Sequence, residues 1–260
     1  DGSLRFLGPV EAVELQTVFQ SDVLMQLDVC TSHGADRAEA ERAVRLSSAW
    51  ASRSKIAWNE RRDRSRGVLF PIMQGNFYRD LRERSAREIV ELDLPGNAIG
   101  GLSVGEPFEV FADFLAFSSS LLPDAKPRYL MGIGTPEYIL EAIGEGIDMF
   151  DCVFPTRTAR NGLLFTRDGP IAIKKLIHER DSLPIDSECA CRVCRSYSRS
   201  YLRHLYRSGE ILYAMLATYH NLAFLQDLVR SSRSAIRRGE FTSFKKSFLL
   251  RYANGEVPKA

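Results

Sequence analysis

Gly146-Ile147-Asp148-Met149-Phe150-Asp151-Cys152-Val153-Phe154-Pro155-Thr156-Arg157-Thr158-Ala159-Arg160-Asn161-Gly162 is the stretch on which the reading of the chain turns. It predicts a short buried strand over 149–153 that breaks at Pro155, because proline cannot donate to a sheet ladder. Beyond the break, a loop is expected to carry Arg157 and Arg160. Asp151 stands between Phe150 and Cys152, where a carboxylate is costly to desolvate and so needs a partner or a chemical task. Arginine offers a rigid fork of donors suited to phosphate, so a carboxylate beside such a loop could act on something held by its phosphates. The plainer alternative is an aspartate capping the next turn beside solvated arginines.

Working outward, the same strand-then-polar-residue rhythm recurs upstream. Residues 21–27 read as a buried strand ending at Asp28, Cys30 and Thr31. A long helix over 35–61 follows, with Ala40, Val44, Ala51 and Trp58 near helical spacing. Residues 68–73 form a second strand ending in Gln74-Gly75, then a helix from about 78 to 92. Residues 98–102 form a third, ending in Ser103-Val104-Gly105-Glu106-Pro107, with a helix through Phe111 and Phe117. Residues 128–131 form a fourth, ending in Gly132-Ile133-Gly134, with Pro136 opening the next helix at a position proline tolerates. At the amino-terminal end, Asp1-Gly2-Ser3 reads as a turn and Phe6-Leu7-Gly8-Pro9 as the end of a short strand.

Five strands alternating with helices imply a parallel sheet with polar or glycine residues at its carboxyl edge, the mark of a (β/α)8 barrel of the TIM type. Strands four to eight of such a barrel would be present and the first three missing. A doubly wound open sheet is the alternative, but no Gly-x-Gly-x-x-Gly opens a helix after any strand. After Gly162 the rhythm stops, and residues 163–166 and 170–173 predict a hairpin around Asp168-Gly169. The expected organisation is a partial barrel over 1–162 and a helical, basic, zinc-binding subdomain over 163–260.

At 260 residues and 45% hydrophobic content, the chain can bury a full core. Its net charge of +2 hides an asymmetry: from Cys189 onward thirteen Lys/Arg face four Asp/Glu, whereas 22 face 29 before it. A basic region on an acidic body is expected where one part meets a polyanion. No signal peptide is evident, and no apolar run approaches the roughly twenty residues that span a bilayer, so a soluble, cytoplasmic protein without membrane contact is expected. Of five cysteines, Cys189, Cys191 and Cys194 form Cys-x-Cys-x-x-Cys, with His220 expected at the end of a helix beginning near Ile211. Three thiolates and one imidazole fill the tetrahedron that Zn²⁺ prefers, and a closed site of this kind is structural. One structural zinc is expected to lock basic helices over 197–206 and 221–238 in place. His33, His178 and His204 lack such company.

The motifs at 148–162, Gly-Gly-Leu-x-Val-Gly-Glu at 100–106, Arg-Tyr-Leu-Met-Gly at 128–132 and the zinc pattern stand in one order. In this the sequence resembles the bacterial tRNA-guanine transglycosylases, corresponding to the later two-thirds of that family's chain. The resemblance implies a pentosyltransferase that replaces the wobble guanine of tRNAs bearing a G-U-N anticodon with 7-aminomethyl-7-deazaguanine, on the way to queuosine. It makes Asp151 the nucleophile on the ribose anomeric carbon, and Asp28 and Gln74 readers of the base edge. Gly100 and Gly101 would line the base, with the Gly101 N–H serving its carbonyl. The Leu102 carbonyl would accept from the aminomethyl group, its peptide oriented by Glu106. Cys30 and Val104 match the prequeuosine-type pocket, Tyr129 and Met131 would wall the base, and residues 157–160 (Arg157, Thr158, Ala159, Arg160) would grip the anticodon backbone. A homodimer is implied by the resemblance alone.

The chemistry agrees. Exchanging one base for another with retained configuration calls for two displacements through a covalent glycosyl-enzyme, for which a carboxylate is the usual nucleophile. An anticodon loop is single-stranded, so a base can be splayed into a pocket and read on its hydrogen-bonding edge. The family's second aspartate, a general acid/base, belongs to a strand absent from these residues, so a partial sequence of a protein of roughly 370 residues is expected. A catalytically silent tRNA-binding partner subunit is the competing reading.

Overall fold

The computed structural model describes residues 2–4 and 6–253. Asp1 of the expected opening turn, and the chain after Ala253, lie outside them. The chain divides into two units, Asp1–Ile133 with Glu141–Asp151, and Gly134–Leu140 with Cys152–Ala260.

In the first unit, short strands run parallel with neighbours in sequence order: β1 (Val23–Met25) on β2 (Val68–Phe70), then β3 (Ile72–Met73), β4 (Asn97–Ile99), β5 (Arg128–Leu130) and β6 (Met149–Phe150). The expected strand over 68–73 is thus two ladders joined at Pro71. That residue has no N–H to give, yet its carbonyl still accepts from Ala98 N at 2.8 Å. Register pairs Met25 with Phe70, Met73 with Ile99, Ile99 with Leu130 and Leu130 with Phe150. Leu24, Leu69, Met73, Ile99 and Leu130 are fully buried, as strands covered on both faces require. The strands are shorter than the apolar runs suggest. Strand β1 ends at Met25, and the buried Gln26 side chain donates to the Ser47 carbonyl at 2.9 Å.

Helices α2 (Arg37–Asn59), α3 (Arg79–Val90) and α4 (Phe108–Ser120) connect the strands. Asp36 caps α2 by accepting from Glu39 N at 2.8 Å. Trp58 Nε1 donates to the Gly67 carbonyl at 3.0 Å and seats the end of α2 beside the start of β2. The amino-terminal strand end expected at 6–9 is absent: Phe6 and Leu7 are exposed, and helix α1 (Pro9–Val18) begins instead. Proline at the first helical position and Glu11, whose carboxylate accepts from Gly8 N at 3.0 Å, make that start a helix start. Helix α5 (Pro136–Gly144) opens at Pro136 as expected.

The second unit replaces the expected loop after Asp151 by helix α6 (Phe154–Arg160), with Pro155 in its first turn, where no N–H is needed. Strand β7 (Leu163–Leu164) pairs antiparallel with β8 (Ile171–Ala172), the predicted hairpin. Helices α7 (Arg192–Ser196), α8 (Arg199–Arg207), α9 (Ile211–Arg237) and α10 (Phe241–Ala253) follow. The break expected after His220 does not occur; α9 runs through it for 27 residues, so His220 is a mid-helix residue. The reason lies at the next position. Buried Asn221 donates to the Pro155 and Leu163 carbonyls at 3.0 and 3.1 Å and accepts from Phe165 N at 3.0 Å, so its polar side chain is spent on α6 and the hairpin rather than on ending a helix. Arg251 of α10 pairs with Asp168 and Glu188. Among the described residues, no helix is long and apolar enough to cross a membrane.

Replacing Asn221 by alanine removes three side-chain hydrogen bonds to the backbone, at about 1 kcal/mol each. Asn221→Ala is therefore expected to lower the urea midpoint markedly with little change in helical circular dichroism below the transition.

Candidate functional site

Within the first unit, the carboxyl ends of successive strands bring together the residues singled out in the sequence. Asp28 follows β1, Gln74 follows β3, Gly100 and Gly101 follow β4, Tyr129 and Met131 belong to β5 and its end, and Asp151 follows β6. In a parallel sheet these ends share one edge.

Asp151 is exposed, contrary to the buried setting its neighbours suggest, because β6 ends at Phe150 and the next residue has left the ladder. Its carboxylate is nonetheless fixed: Oδ1 accepts from the Tyr129 hydroxyl at 2.6 Å and from Gly132 N at 2.9 Å. Both donors fall on one oxygen. Burial, and then the bond to Asp151, push the Tyr129 phenol up, so it stays a proton donor to that carboxylate.

Gln74 is fully buried, and its amide nitrogen donates to Asp28 Oδ2. Burial raises the Asp28 carboxyl above the usual range, and the Gln74 bond offsets part of the rise. Ser85 Oγ accepts from Gln74 N at 3.0 Å and holds the backbone there. A Cβ on Gly100 would stand 2.5 Å from Gln74 Nε2, and one on Gly101 would stand 2.6 Å from Gln74 Oε1, so only glycines leave this amide its place. Gly101, at φ +66°, also needs the left-handed region. Glu106, mostly buried, accepts from Ser103 N and from Val104 N, the latter at 2.8 Å. The Cys30 thiol is pushed up by burial and by Asp28, and a backbone bond from Gly101 pulls it partly back. Leu102 is buried; Val104 and Met131 are half-buried.

In the second unit, Arg157 and Arg160 are exposed on α6. Their helical neighbours face other tasks. Thr158 Oγ1 donates to the Phe154 carbonyl at 2.7 Å, and Ala159 is buried with its carbonyl accepting from Tyr213 at 3.0 Å.

Cys189, Cys191, Cys194 and His220 form one cluster whose ligand atoms all lie within 4.8 Å of one another, and it could hold a metal ion. His220 Nδ1 stands 3.9, 3.6 and 3.3 Å from the three sulfurs in that order. Its Nε2 lies 2.7 Å from the Phe165 carbonyl, which places the ring proton on Nε2 and leaves the Nδ1 lone pair for a metal. Hydrogen bonds from Cys189 and Cys194 hold the Cys191 thiol far below its ordinary value, so the cluster already favours a thiolate.

Residues 1–254 match the family described as queuine tRNA-ribosyltransferase. The chain belongs to this family. The queuine tRNA-ribosyltransferase of Treponema denticola is 51% identical over 254 residues, covering 98% of this chain and 67% of its own. That of Borrelia hermsii is 47% identical over 255 residues, covering 98% and 68%, and that of Azoarcus sp. is 48% identical over 255 residues, with the same coverage. The chain spans about two-thirds of the length of these relatives.

Three supporting residues of this queuine tRNA-ribosyltransferase family member escape a sequence reading. Arg82 is fully buried and donates to the carbonyls of Asn76, Gly100 and Gly101. Asn76 Nδ2 reaches Thr31 Oγ1 and the Ser32 carbonyl, both at 2.7 Å. Asn221 ties α9 to α6 and the hairpin. A signal existed for Arg82 alone: it shares the stripe of Ser85, Ala86 and Ile89 on α3, where a charge is out of place.

Because the fourth ligand is already oriented, Cys194→Ala and His220→Ala are each expected to remove bound metal, measured by inductively coupled plasma mass spectrometry. Chelation of the wild type should lower its melting temperature far more than chelation of either variant.

Proposed function

We propose that the protein is a tRNA-guanine transglycosylase, exchanging the wobble guanine of G-U-N anticodons for 7-aminomethyl-7-deazaguanine through a covalent ribosyl intermediate on Asp151. The observation that carries this reading is the Asp151 carboxylate at the end of β6, held through a single oxygen by Tyr129 and Gly132. That arrangement leaves Oδ2 as the atom to approach C1′ of the ribose. In the first displacement the Oδ2–C1′ bond forms, the C1′–N9 bond breaks, and guanine leaves with the electron pair. In the second, N9 of the incoming base forms the new bond and the Asp151 ester bond breaks. The proton lost from the incoming base balances the one the outgoing guanine takes up, and two inversions restore the configuration.

Base recognition falls to the neighbouring strand ends. Asp28 would accept from the guanine N1 and N2 donors, and Gln74 with the Gly101 N–H would serve O6. The Asp28–Gln74 bond keeps these groups paired with each other before a base arrives, which limits the desolvation cost of the pocket. The Glu106 bond to Ser103 N turns the Leu102 carbonyl the other way across the same peptide, where it could accept from an aminomethyl group. Arg157 and Arg160, exposed and cationic, suit the anticodon phosphates. Zn²⁺ is the metal that fits the cluster. Bonds of about 2.3 Å to sulfur and about 2.0 Å to nitrogen imply tetrahedral S···N edges near 3.5 Å. The distances from His220 Nδ1, from 3.3 to 3.9 Å, bracket that value. Bound there, zinc would supply structure rather than chemistry, tying the segment over 189–194 to α9. The protein would act in the cytoplasm, where tRNA is modified, and as a homodimer, as the resemblance implies.

Incorporation of radiolabelled guanine into tRNA by the intact protein tests the reading. Asp151→Ala is expected to lose at least about a thousandfold in rate, as removal of a nucleophile does, while binding tRNA as well as wild type does. Mass spectrometry should map the trapped ribosyl adduct to residue 151; an adduct elsewhere, or a wild type that binds tRNA without exchange, would refute it.

The elevated Asp28 pKa carries a separate expectation. Base reading needs the carboxylate, so guanine affinity should fall as pH drops through a value above the ordinary carboxylate range, and Asp28→Asn should flatten that limb. The sign for folding is opposite: the stabilisation tied to this group is present below its unfolded value and lost as pH rises through the elevated one.

A further inference from the structure

Arg82 is the one fully buried charge beside the candidate base site, and no carboxylate bonds it directly among the described residues. Its Nε donates to the Asn76 carbonyl at 2.7 Å, its terminal nitrogens to the Gly100 carbonyl at 3.3 Å and to the Gly101 carbonyl at 3.0 Å. Burial pulls its pKa down to about 10, opposed by the nearby Glu106 and Cys30, so it remains a cation at neutral pH. Removing a guanidinium from water is expensive, and three neutral carbonyls are a modest return for folding alone.

A function in orienting the loop accounts for its place. In a trans peptide the carbonyl and the following N–H point in opposite directions. Anchoring the Gly100 carbonyl on Arg82 therefore aims the Gly101 N–H away from Arg82. Anchoring the Gly101 carbonyl does the same for the Leu102 N–H. One peptide further, Glu106 takes Ser103 N and leaves the Leu102 carbonyl facing the other way. The loop is thus gripped by a buried cation on its carbonyls and by a carboxylate on its amides. The grip offsets the left-handed backbone at Ser103, whose φ is +58°.

We propose that Arg82 is a positioning residue for base specificity: by holding the Gly100 and Gly101 carbonyls it presets the Gly101 N–H as the donor to the 6-oxo group of a purine. This rests on the base-reading role proposed above. Lysine replaces it only in part, since a point charge on a flexible stem does not span three carbonyls.

The test compares free guanine with 6-thioguanine, whose sulfur is the poorer acceptor at the same position, binding to the intact protein by calorimetry. Wild type should prefer guanine. In Arg82→Met, guanine affinity should fall about tenfold or more, for a lost hydrogen bond to a buried acceptor, and the preference over 6-thioguanine should shrink towards unity. Arg82→Lys, which keeps the charge should the methionine variant fail to fold, should lie between the two. Affinity for tRNA, held through phosphates, should change less than twofold in either variant. Equal losses for both bases in a cooperatively melting variant, or no loss for guanine, would overturn the positioning role. A wild type that binds neither base would instead overturn the base-reading assignment on which it stands.

Discussion

A parallel ladder places every strand's carboxyl end on one side, and the candidate site depends on that constraint before it depends on any side chain. Asp28, Gln74, Gly100, Gly101, Tyr129 and Asp151 are spread over more than a hundred positions of sequence, yet each follows or closes a strand whose neighbour is the next in order. Helices α2, α3 and α4 are the crossover connections that make such ordering possible. Shift one strand by a residue and its polar terminal residue changes face, so the buried register of Leu24, Met73, Ile99 and Leu130 also positions the chemistry.

Charge at this edge is met by neutral hydrogen-bonding groups rather than by ion pairing. Arg82 meets carbonyls, Glu106 meets amides, Asp28 meets the Gln74 amide, and Asp151 meets a hydroxyl and an amide. None of these carboxylates is neutralised by a contacting cation. The acceptors therefore keep their basicity for a ligand, and the backbone keeps a single conformation in which to meet it. The second unit follows another plan. There the metal-ligand cluster, Asn221 and the pairs of Arg167 and Arg251 cross-link elements around an apolar core that includes Leu164, Ile173, Val193, Leu202 and Leu216.

Family membership bounds what these arrangements serve. The chain matches queuine tRNA-ribosyltransferases of three bacteria at 47–51% identity across nearly its whole length, so the strand-end residues and the cysteine–histidine cluster stand within a chain of that family. The ribosyl chemistry proposed for Asp151 is consistent with the geometry: an exposed carboxylate with one oxygen committed to donors can still reach a substrate, whereas the fully buried carboxylate suggested by the flanking apolar residues could not.

By itself, the sequence determined the alternation of strand and helix, the polar residues closing each strand, the hairpin at Asp168-Gly169 and the metal-ligand set. These are written in local periods, turn chemistry and close spacing, which need no knowledge of distant partners. Where a local cue has two meanings, the reading went astray: Pro155 can break a strand or begin a helix, and Pro9 likewise, and in both places the helix won. Tertiary structure alone decided that Tyr129, 22 residues away, holds Asp151, that Phe165 sets the tautomer of His220, that Asn221 is spent on three backbone groups, and that a charged Arg82 lies wholly inside. Each of these depends on a partner brought near by folding, and no period or spacing along a chain encodes who that partner is.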